Sequence, residues 1–359
     1  MRNYTPVHSR FAFLWVLVAA SWSLACAGEA PTPAAGTWVN VTANVGGETW
    51  GYAGVCLLAA VPDSADVIAG VSESGLWLTA DGGASWKKLG ANDKEQIKHR
   101  PHRILFDPQN PAVFWVSGCY APAPFKTSDG GATFQRLGAL NHADGVAVDF
   151  TDPERKTLLL GLHEQARSLQ LSKDGGKTWT KIGERLPENS NHSTDPIIID
   201  TKTFLINTAG RQKNATLGIY LSEDAGETWS QVSALGPGGT PLVSSDGRIY
   251  WQRIWGGGLL HSADKGKTWS QLASPVKGNL IELPDKRLAG TAEKQVFVSA
   301  GRVGNPPYSA DAGTQWAKLG PPLPFKASGI VYSSKGKCFY AWRLTDKKDP
   351  LAVVRLDGY

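Results

Sequence analysis

Side chains able to transfer protons or bind anions are concentrated in the irregular segments between short apolar runs. Five of the six histidines after residue 27 lie in such segments, and only His261 falls within a predicted strand. Histidine and glutamate can act as acids and bases, and arginine can bind a carboxylate or sulfate through two hydrogen bonds. Tyrosine and tryptophan offer flat apolar faces to a sugar ring. Together these residue types predict a site for a polar or acidic carbohydrate.

We assign the candidate residues to two roles. The acid–base candidates are Glu73, His142 and His163. The substrate-binding candidates are His99, His102, Arg103, Tyr120, Glu164, Arg167, His192, Arg211, Arg253, Trp255 and Arg343. Binding residues concentrate in loops held by a rigid scaffold, although a polar loop residue taken singly is more often a solvated surface group.

A metal is the alternative use of the histidines. His99 and His102, with His142 or His163, could bind a transition metal. The H-x-x-H spacing is a weak signal when it falls in a loop. We therefore predict no metal and no other cofactor.

The elements that must position these residues are indicated by a repeat. An eight-residue pattern, S/T-x-D-x-G-x-T-W, occurs at 172–179, 222–229 and 262–269. It recurs with one change in its last two positions at 79–86, 127–134 and 309–316. Successive central aspartates are 40 to 50 positions apart. A period of this length, built from short strand-like runs, is typical of a propeller or solenoid.

Each residue type in the repeat has a local structural reason. Aspartate can accept hydrogen bonds from the backbone of its own tight turn, and the second glycine supplies a positive φ. The terminal tryptophan provides a large apolar surface that can be buried against the next unit. We therefore interpret the repeated aspartates as structural and place none of them in an active site.

These residues resemble the Asp-box, or bacterial neuraminidase (BNR), repeat, and the resemblance covers most of the chain. It implies four-stranded propeller blades in which each box forms the hairpin between the third and fourth strands. The ligand site then lies on the opposite face. That face carries the loops that enter each first strand and those that join the second strand to the third, where we place the candidate residues.

The two ends of the chain each carry half of a further box. Residues 36–41 match the second half of a box and its following strand, and residues 351–358 match a third strand that runs into Asp-Gly. Joined in space, they would form a split seventh box. We therefore predict an all-β fold over residues 36–359, a single seven-bladed β-propeller with Asp-box hairpins, whose last blade is closed by the N-terminal strand. Closure removes exposed sheet edges.

Two enzyme families with this fold offer comparisons. Sialidases carry an Arg-Ile-Pro motif that enters the first blade, an arginine triad and a Tyr–Glu pair. Residues 51–56 lack the Arg-Ile-Pro motif. Residues 106–114 are similar to a hairpin of xyloglucan-active endoglucanases, and Glu73 falls where those enzymes place a catalytic aspartate. They use two propellers, with one acid from each. A paired-carboxylate hydrolysis here would need Asp144, Glu164 or Asp195 roughly 5 to 10 Å from Glu73.

Two other functions stay open at this point. A lyase acting on uronate sugars needs a histidine or tyrosine base and an arginine to neutralise the carboxylate, and the candidate set contains both. Asp-box propellers also resemble extracytoplasmic assembly factors and sorting-receptor ectodomains, which bind a protein or peptide without catalysis. Fold alone does not decide between them. We expect an exported propeller that recognises an extracellular, acidic carbohydrate, with cleavage or protein binding as the alternatives.

The first 35 residues are expected to lie outside the propeller. Residues 1–27 have the basic start, apolar run and small-residue cleavage site of a signal peptide, and residues 28–35 form a Pro/Ala linker. This predicts a secreted or periplasmic monomer without a membrane span, with lipid anchoring through Cys26 as the alternative.

Composition narrows the remaining classes. The chain of 359 residues has a net charge of +5, and no basic run is interleaved with aromatics, so nucleic acid is not an expected partner. The irregular spacing of Cys56, Cys119 and Cys338 favours buried thiols, with one optional disulfide.

Overall fold

The computed structural model describes residues 36–190, 194–209, 215–253, 257–304, 312–345 and 347–359. Regular structure in these ranges consists of 28 β-strands and one short 3-10 helix, Gly183–Arg185. The predicted all-β class is confirmed. The expected signal peptide and linker fall outside the described residues.

The strands of the first half fall into three groups of four, preceded by β1 (Val39–Asn40). The first group is β2 (Val55–Ala60), β3 (Val67–Val71), β4 (Gly75–Thr79) and β5 (Lys87–Lys88). The second is β6 (Arg100–Phe106), β7 (Phe114–Pro122), β8 (Phe125–Thr127) and β9 (Gln135–Arg136). The third is β10 (Asn141–Val148), β11 (Leu158–Leu162), β12 (Gln170–Ser172) and β13 (Thr180–Lys181).

The second half continues the same order. The fourth group is β14 (Ile197–Ile198), β15 (Phe204–Thr208), β16 (Gly218–Ser222) and β17 (Ser230–Ser233). The fifth is β18 (Leu242–Val243), β19 (Ile249–Gln252), β20 (Leu259–Ser262) and β21 (Ser270–Leu272). The sixth is β22 (Leu280–Glu282), β23 (Arg287–Ala292), β24 (Gln295–Arg302) and β25 (Trp316–Leu319), and the last is β26 (Gly329–Ser333), β27 (Cys338–Trp342) and β28 (Val353–Asp357) with β1.

Hydrogen bonding in the described residues joins these strands into five four-stranded antiparallel sheets and one eight-stranded sheet. The larger sheet arises because β7 pairs with both β6 and β10. First strands of successive groups contact one another at β26–β2, β2–β6, β6–β10, β10–β14, β18–β22 and β22–β26. This arrangement places the first strands around a common axis, as in a propeller. The number seven for the blades stays a prediction.

The predicted closure by the N-terminal strand is confirmed. Strand β1 pairs antiparallel with β28, with Val39 opposite Arg355 and Asn40 opposite Val354. The Thr42 hydroxyl accepts hydrogen bonds from the backbone N–H groups of Ala352 and Val353, at 3.0 Å each. Residues more than 300 positions apart in the chain therefore complete one sheet.

The Asp-box hairpins have the hydrogen bonds expected from their sequence. In the third box, the Ser172 hydroxyl and the Thr178 N–H donate to one oxygen of Asp174, and the Thr178 hydroxyl donates to the other at 2.6 Å. These bonds, led by that from Thr178, lower the pKa of Asp174 to about 2. The boxes of Asp81, Asp129, Asp224 and Asp264 repeat this pattern. Asp311, of the sixth predicted box, lies outside the described residues.

Apolar side chains fill the space between neighbouring groups of strands. Trp115 of β7 packs with Val146 and Leu160 of the third group, and Trp251 of β19 packs with Leu205 of β15. Complete burial of such side chains contributes about 1.5–3 kcal/mol each.

The chain alternates direction along each group, so the box hairpins lie at the end opposite to the starts of the first strands. The segments that lead into the first strands therefore share that opposite end.

Candidate functional site

A cavity of about 600 Å³ lies among the first strands of several groups. Four cationic side chains line it, Arg100 and Arg103 from β6, Arg253 after β19, and Lys277 before β22. His102 also lines it, and the described lining residues include no aspartate or glutamate. Converging positive charges with low-dielectric walls raise the local concentration of anions. The cavity is therefore suited to an anionic ligand.

His102 lies between two buried carboxylates. Its Nδ1 is 3.6 Å from Asp144 Oδ1, and its Nε2 is 3.7 Å from Asp195 Oδ1. Neither carboxylate oxygen has a hydrogen-bond partner in the described structure. Burial opposes the charged ring, but the interaction with Asp195 and the charges of both carboxylates outweigh it and raise the pKa of His102. The surroundings therefore favour an imidazolium at the cavity wall.

A second histidine connects Asp144 to an exposed tyrosine. His163 Nδ1 is 2.7 Å from Asp144 Oδ2, and His163 Nε2 is 3.2 Å from the Tyr120 hydroxyl. The hydrogen bond with Asp144 raises the pKa of His163 despite partial burial. The Tyr120 side chain is 52% exposed, whereas Asp144 is 4% exposed. The three groups form a hydrogen-bonded chain that runs from a buried carboxylate to a solvent-exposed phenol.

Backbone geometry directs these side chains toward one another. Tyr120, His142 and Glu164 all have positive φ, at 70°, 57° and 51°. The Tyr120 N–H donates to His142 Nδ1 at 3.3 Å, and the His163 N–H donates to the His142 carbonyl at 2.6 Å. Register shifts on both sides of Ala143 mark irregularities in β10. Such bulges redirect side chains, and residues held in strained backbone conformations cluster at functional sites.

Two histidines lie on strands and not in loops, contrary to our expectation. His102 is within β6 and His142 is within β10. The reason is that β7 extends to Pro122 and pairs with both neighbours, with Cys119 opposite Arg100 and Pro122 opposite Asn141. The strands therefore extend further toward the cavity than the apolar runs of the sequence predict.

The structure places other candidates apart from this cluster. His99 is fully buried against Phe125 and Gly118, and burial lowers its pKa to about 4. Arg343 pairs with Asp349 at 2.5 Å. Glu73 is exposed in a turn with φ of 61° and packs over Gly51.

Two of the remaining candidates lie within the described residues and three lie outside them. Glu164 is exposed, and its Oε1 lies 3.7 Å from His163 Nε2. Arg167 is half-buried, and its backbone N–H donates to the Ser190 carbonyl. His192, Arg211 and Trp255 lie outside the described residues.

The structure gives two carboxylates a role that the sequence did not predict, and it adds cationic residues to the cavity. Asp144 and Asp195, named from the sequence as partners of Glu73, hold the histidines, and Arg100 and Lys277 line the cavity. A sequence signal for this role is the position of each aspartate, two residues after His142 and three after His192. Lys277 lies in a segment with no motif, so nothing in the sequence distinguishes it.

The cluster also contains a combination of side chains that could hold a metal. Candidate ligand atoms of Cys119, Asp144 and His163 lie within 4.8 Å of one another. Burial raises the pKa of the Cys119 thiol to about 12, however, and His163 Nδ1 is already hydrogen-bonded to Asp144. A cysteine must be a thiolate to bind a metal, and a histidine must offer a free ring nitrogen. The arrangement therefore fits the Asp–His hydrogen bond better. Cys56, Cys119 and Cys338 are all free thiols.

The fold is that of a β-propeller, and its described box hairpins repeat one hydrogen-bond pattern. Residues 170–181 match the family model of the BNR/Asp-box repeat. No curated protein matches the sequence.

Solved structures share the propeller at low sequence identity. The GH74 enzyme of Niastella koreensis has 17% identity and a TM-score of 0.60, over 85% of this chain and 52% of that one. The GH74 xyloglucanase of Xanthomonas campestris has 18% identity and a TM-score of 0.54, over 88% and 55%. YCF48 bound to a D1 peptide has 14% identity and a TM-score of 0.55, over 90% and 97%. The chain thus spans about half the length of the two GH74 proteins, and these similarities establish the fold alone.

Among the described residues, no helix has the length and apolar character needed to cross a bilayer.

Proposed function

We propose that this propeller binds an acidic carbohydrate in its central cavity. The observation that carries the proposal is the lining of that cavity, where Arg100, Arg103 and Arg253 converge and no described lining residue is acidic. Lys277 also lines the cavity and pairs with Glu293 at 3.4 Å. Arginine guanidinium groups bind carboxylate and sulfate through paired hydrogen bonds. A volume of about 600 Å³ is in the usual range for a small-molecule pocket.

Exposed aromatic rings beside the cationic wall support a sugar as the ligand. Tyr52 is 62% exposed and its ring centroid lies 5.5 Å from the Arg100 guanidinium carbon. Tyr120 is also exposed, and it directly follows Cys119, which is paired with Arg100 between β6 and β7. Aromatic faces pack against the apolar faces of sugar rings. The xyloglucanase among the structural neighbours acts on a carbohydrate, which agrees with this choice of ligand class.

Hydrolysis by two free carboxylates is less favoured by this arrangement. Asp144 and Asp195 are buried and directed at His102. Glu73 lies in a separate turn next to Gly51. A glycosidase pair needs one carboxyl on each side of the scissile bond. The site therefore supports anion binding together with histidine and tyrosine chemistry.

Calorimetric titration with charged and neutral oligosaccharides tests the proposal. The wild-type protein should bind uronate or sulfated oligosaccharides and ignore neutral ones of equal length, with affinity that falls as salt increases. Replacement of Arg253 by Gln should weaken binding about ten- to a hundredfold, because a hydrogen bond to a charged group is lost. Arg185→Gln is the control, since Arg185 pairs with Glu227 away from the cavity.

Equal affinity for neutral and acidic sugars would overturn the proposal. Binding of an extended peptide with no affinity for any acidic sugar would do the same, and would favour a protein-binding propeller similar in role to YCF48 with its peptide.

A further inference from the structure

We propose that Tyr120, supported by His163 and Asp144, cleaves bound uronate chains by β-elimination. This inference rests on the proposed binding of an acidic carbohydrate and adds the reaction and its catalytic residue. The chemical class of substrate is a 4-linked hexuronate, in which a carboxylate lies next to an acidic carbon–hydrogen bond.

The hydrogen bonds set the direction of proton transfer. Asp144 is buried, and its Oδ2 accepts from His163 Nδ1 at 2.7 Å, so His163 Nε2 is left as an acceptor. The Tyr120 hydroxyl, 3.2 Å away, then donates to that nitrogen. This is the logic of an activated nucleophile or base, in which a buried carboxylate orients an imidazole that receives a proton from a hydroxyl. The exposed phenol is the end of the chain that can touch a substrate.

We assign neutralisation of the substrate carboxylate to Arg100. Arg100 lines the cavity and is paired in the sheet with Cys119, the residue before Tyr120. Its charge also acts on the Tyr120 phenol, opposing the effect by which partial burial raises the pKa of Tyr120. A carboxylate held by Arg100 becomes a better electron sink, which acidifies the hydrogen on the adjacent carbon. Recognition and proton abstraction can therefore occur at neighbouring groups.

The backbone around Tyr120 restricts the position of the phenol. Its φ of 70° is uncommon for a bulky residue, and its N–H is held by His142. The ring packs edge to face with His163 at 5.1 Å between centroids, and with His142 at 6.0 Å. Such strain and side-chain packing are a means of holding a reactive group in one orientation.

The reaction balances without an added reactant. The Tyr120 oxygen takes the proton from C5 of the uronate while its own proton passes to His163 Nε2, and Asp144 stabilises the resulting imidazolium. The C5–H electron pair forms the C4–C5 double bond, and the C4–O bond breaks. The departing oxygen receives the proton from Tyr120, and His163 returns its proton to the phenol. The products are an unsaturated uronate and a free hydroxyl, and the enzyme is restored.

Ultraviolet absorbance of the conjugated double bond measures this reaction directly. The full chain is incubated with polygalacturonate and alginate oligosaccharides, and binding is measured separately by calorimetry. Tyr120→Phe should lower the elimination rate about a hundredfold or more while affinity changes little. Tyr332→Phe is the matched control, because the Tyr332 hydroxyl bonds to the Tyr359 carbonyl in the last group of strands.

His163 is a positioning residue, and its test uses the pH profile. His163→Gln should retain binding and move the alkaline rise of the elimination rate to higher pH, because the phenol then loses its proton acceptor. A parallel fall in rate at all pH values would indicate a structural role only, and would contradict the relay. Equal thermal midpoints of wild type and variants confirm that each variant is folded.

The outcomes distinguish this inference from the proposed function. Binding of uronates without an unsaturated product overturns the elimination and leaves the binding proposal intact. Saturated reducing ends, formed by hydrolysis, also overturn it. Failure to bind any acidic carbohydrate overturns both.

Discussion

The aspartates of the box hairpins and those of the central cluster differ in where their partners come from. Asp174 receives its hydrogen bonds from residues two and four positions away, and both of its oxygens are satisfied. Asp144 meets His163 from the turn after β11 and His102 from β6, and Asp195 meets His102 from two groups away. Each central carboxylate also keeps one oxygen without a hydrogen bond. A carboxylate whose hydrogen bonds are all made within its own turn stabilises that turn. A carboxylate with an oxygen left unpaired can interact with a neighbouring group that gains or loses a proton.

A third carboxylate shows that long-range contact alone is not the distinguishing feature. Asp107 accepts two hydrogen bonds from Arg155, at 2.8 and 3.1 Å, across adjacent groups of strands. Both side chains are less than a tenth exposed. This pair lies in the first hairpins, at the end of the molecule opposite to the cavity. Its geometry is that of a complete bidentate bridge, so we assign it to stability.

Replacement of Arg155 by Met should have the largest effect. Loss of the guanidinium leaves Asp107 buried without its counter-ion, which costs about 3–5 kcal/mol in the free energy of unfolding. Denaturant unfolding measures the change, and affinity for the acidic ligand should stay as in the wild type. A loss below about 1 kcal/mol would show that Asp107 does not depend on this bridge.

Alanine at the two glycines of the third box should separate backbone strain from steric overlap. Gly176 has φ of 90°, and a Cβ there would lie 2.9 Å from two carbons of Leu137, so Gly176→Ala should destabilise by about 2–4 kcal/mol. Gly175 has φ of 76° with no atom within 4 Å of such a Cβ, so Gly175→Ala should lose only about 1–2 kcal/mol. Thermal and denaturant unfolding measure both. Equal losses would contradict the packing argument.

Replacement of His102 by Asn should give a smaller, pH-dependent effect. The raised pKa of His102 means that its stabilising contribution is present below its unfolded value of about 6.5 and is lost as pH rises through the folded value. The lowered pKa of Asp195 means that its contribution is present above about 3.9 and is lost as pH falls through the folded value. The free energy of unfolding of the wild type should therefore exceed that of the variant by the most between about pH 4 and 6.5.

Unfolding of both proteins at about pH 5 and about pH 8 checks this prediction. A stability difference that stays constant or grows toward pH 8 would show that His102 is not charged between Asp144 and Asp195. Affinity for an anionic ligand should fall as pH rises from about 5 to about 8, because His102 loses its positive charge at the cavity wall.

The features that follow from local sequence were predictable, and those that need distant partners were less so. The split box allowed closure to be predicted, because residues 36–41 and 351–358 each lack what the other supplies. Tyr120 and His163 were selected from residue type and position. The burial of His99 was missed, because a histidine near a strand end carries no local signal of which face it takes.

The sequence alone therefore determined the repeat, the all-β class and the hairpins, because each Asp box satisfies its own hydrogen bonds within a few residues. Only the tertiary structure decided that Asp144 orients His163 while also facing His102, and that Arg100, Arg253 and Lys277 share one cavity. These residues come from separate groups of strands. Their distances depend on how the groups pack around the axis, and no local spacing in the chain fixes that packing.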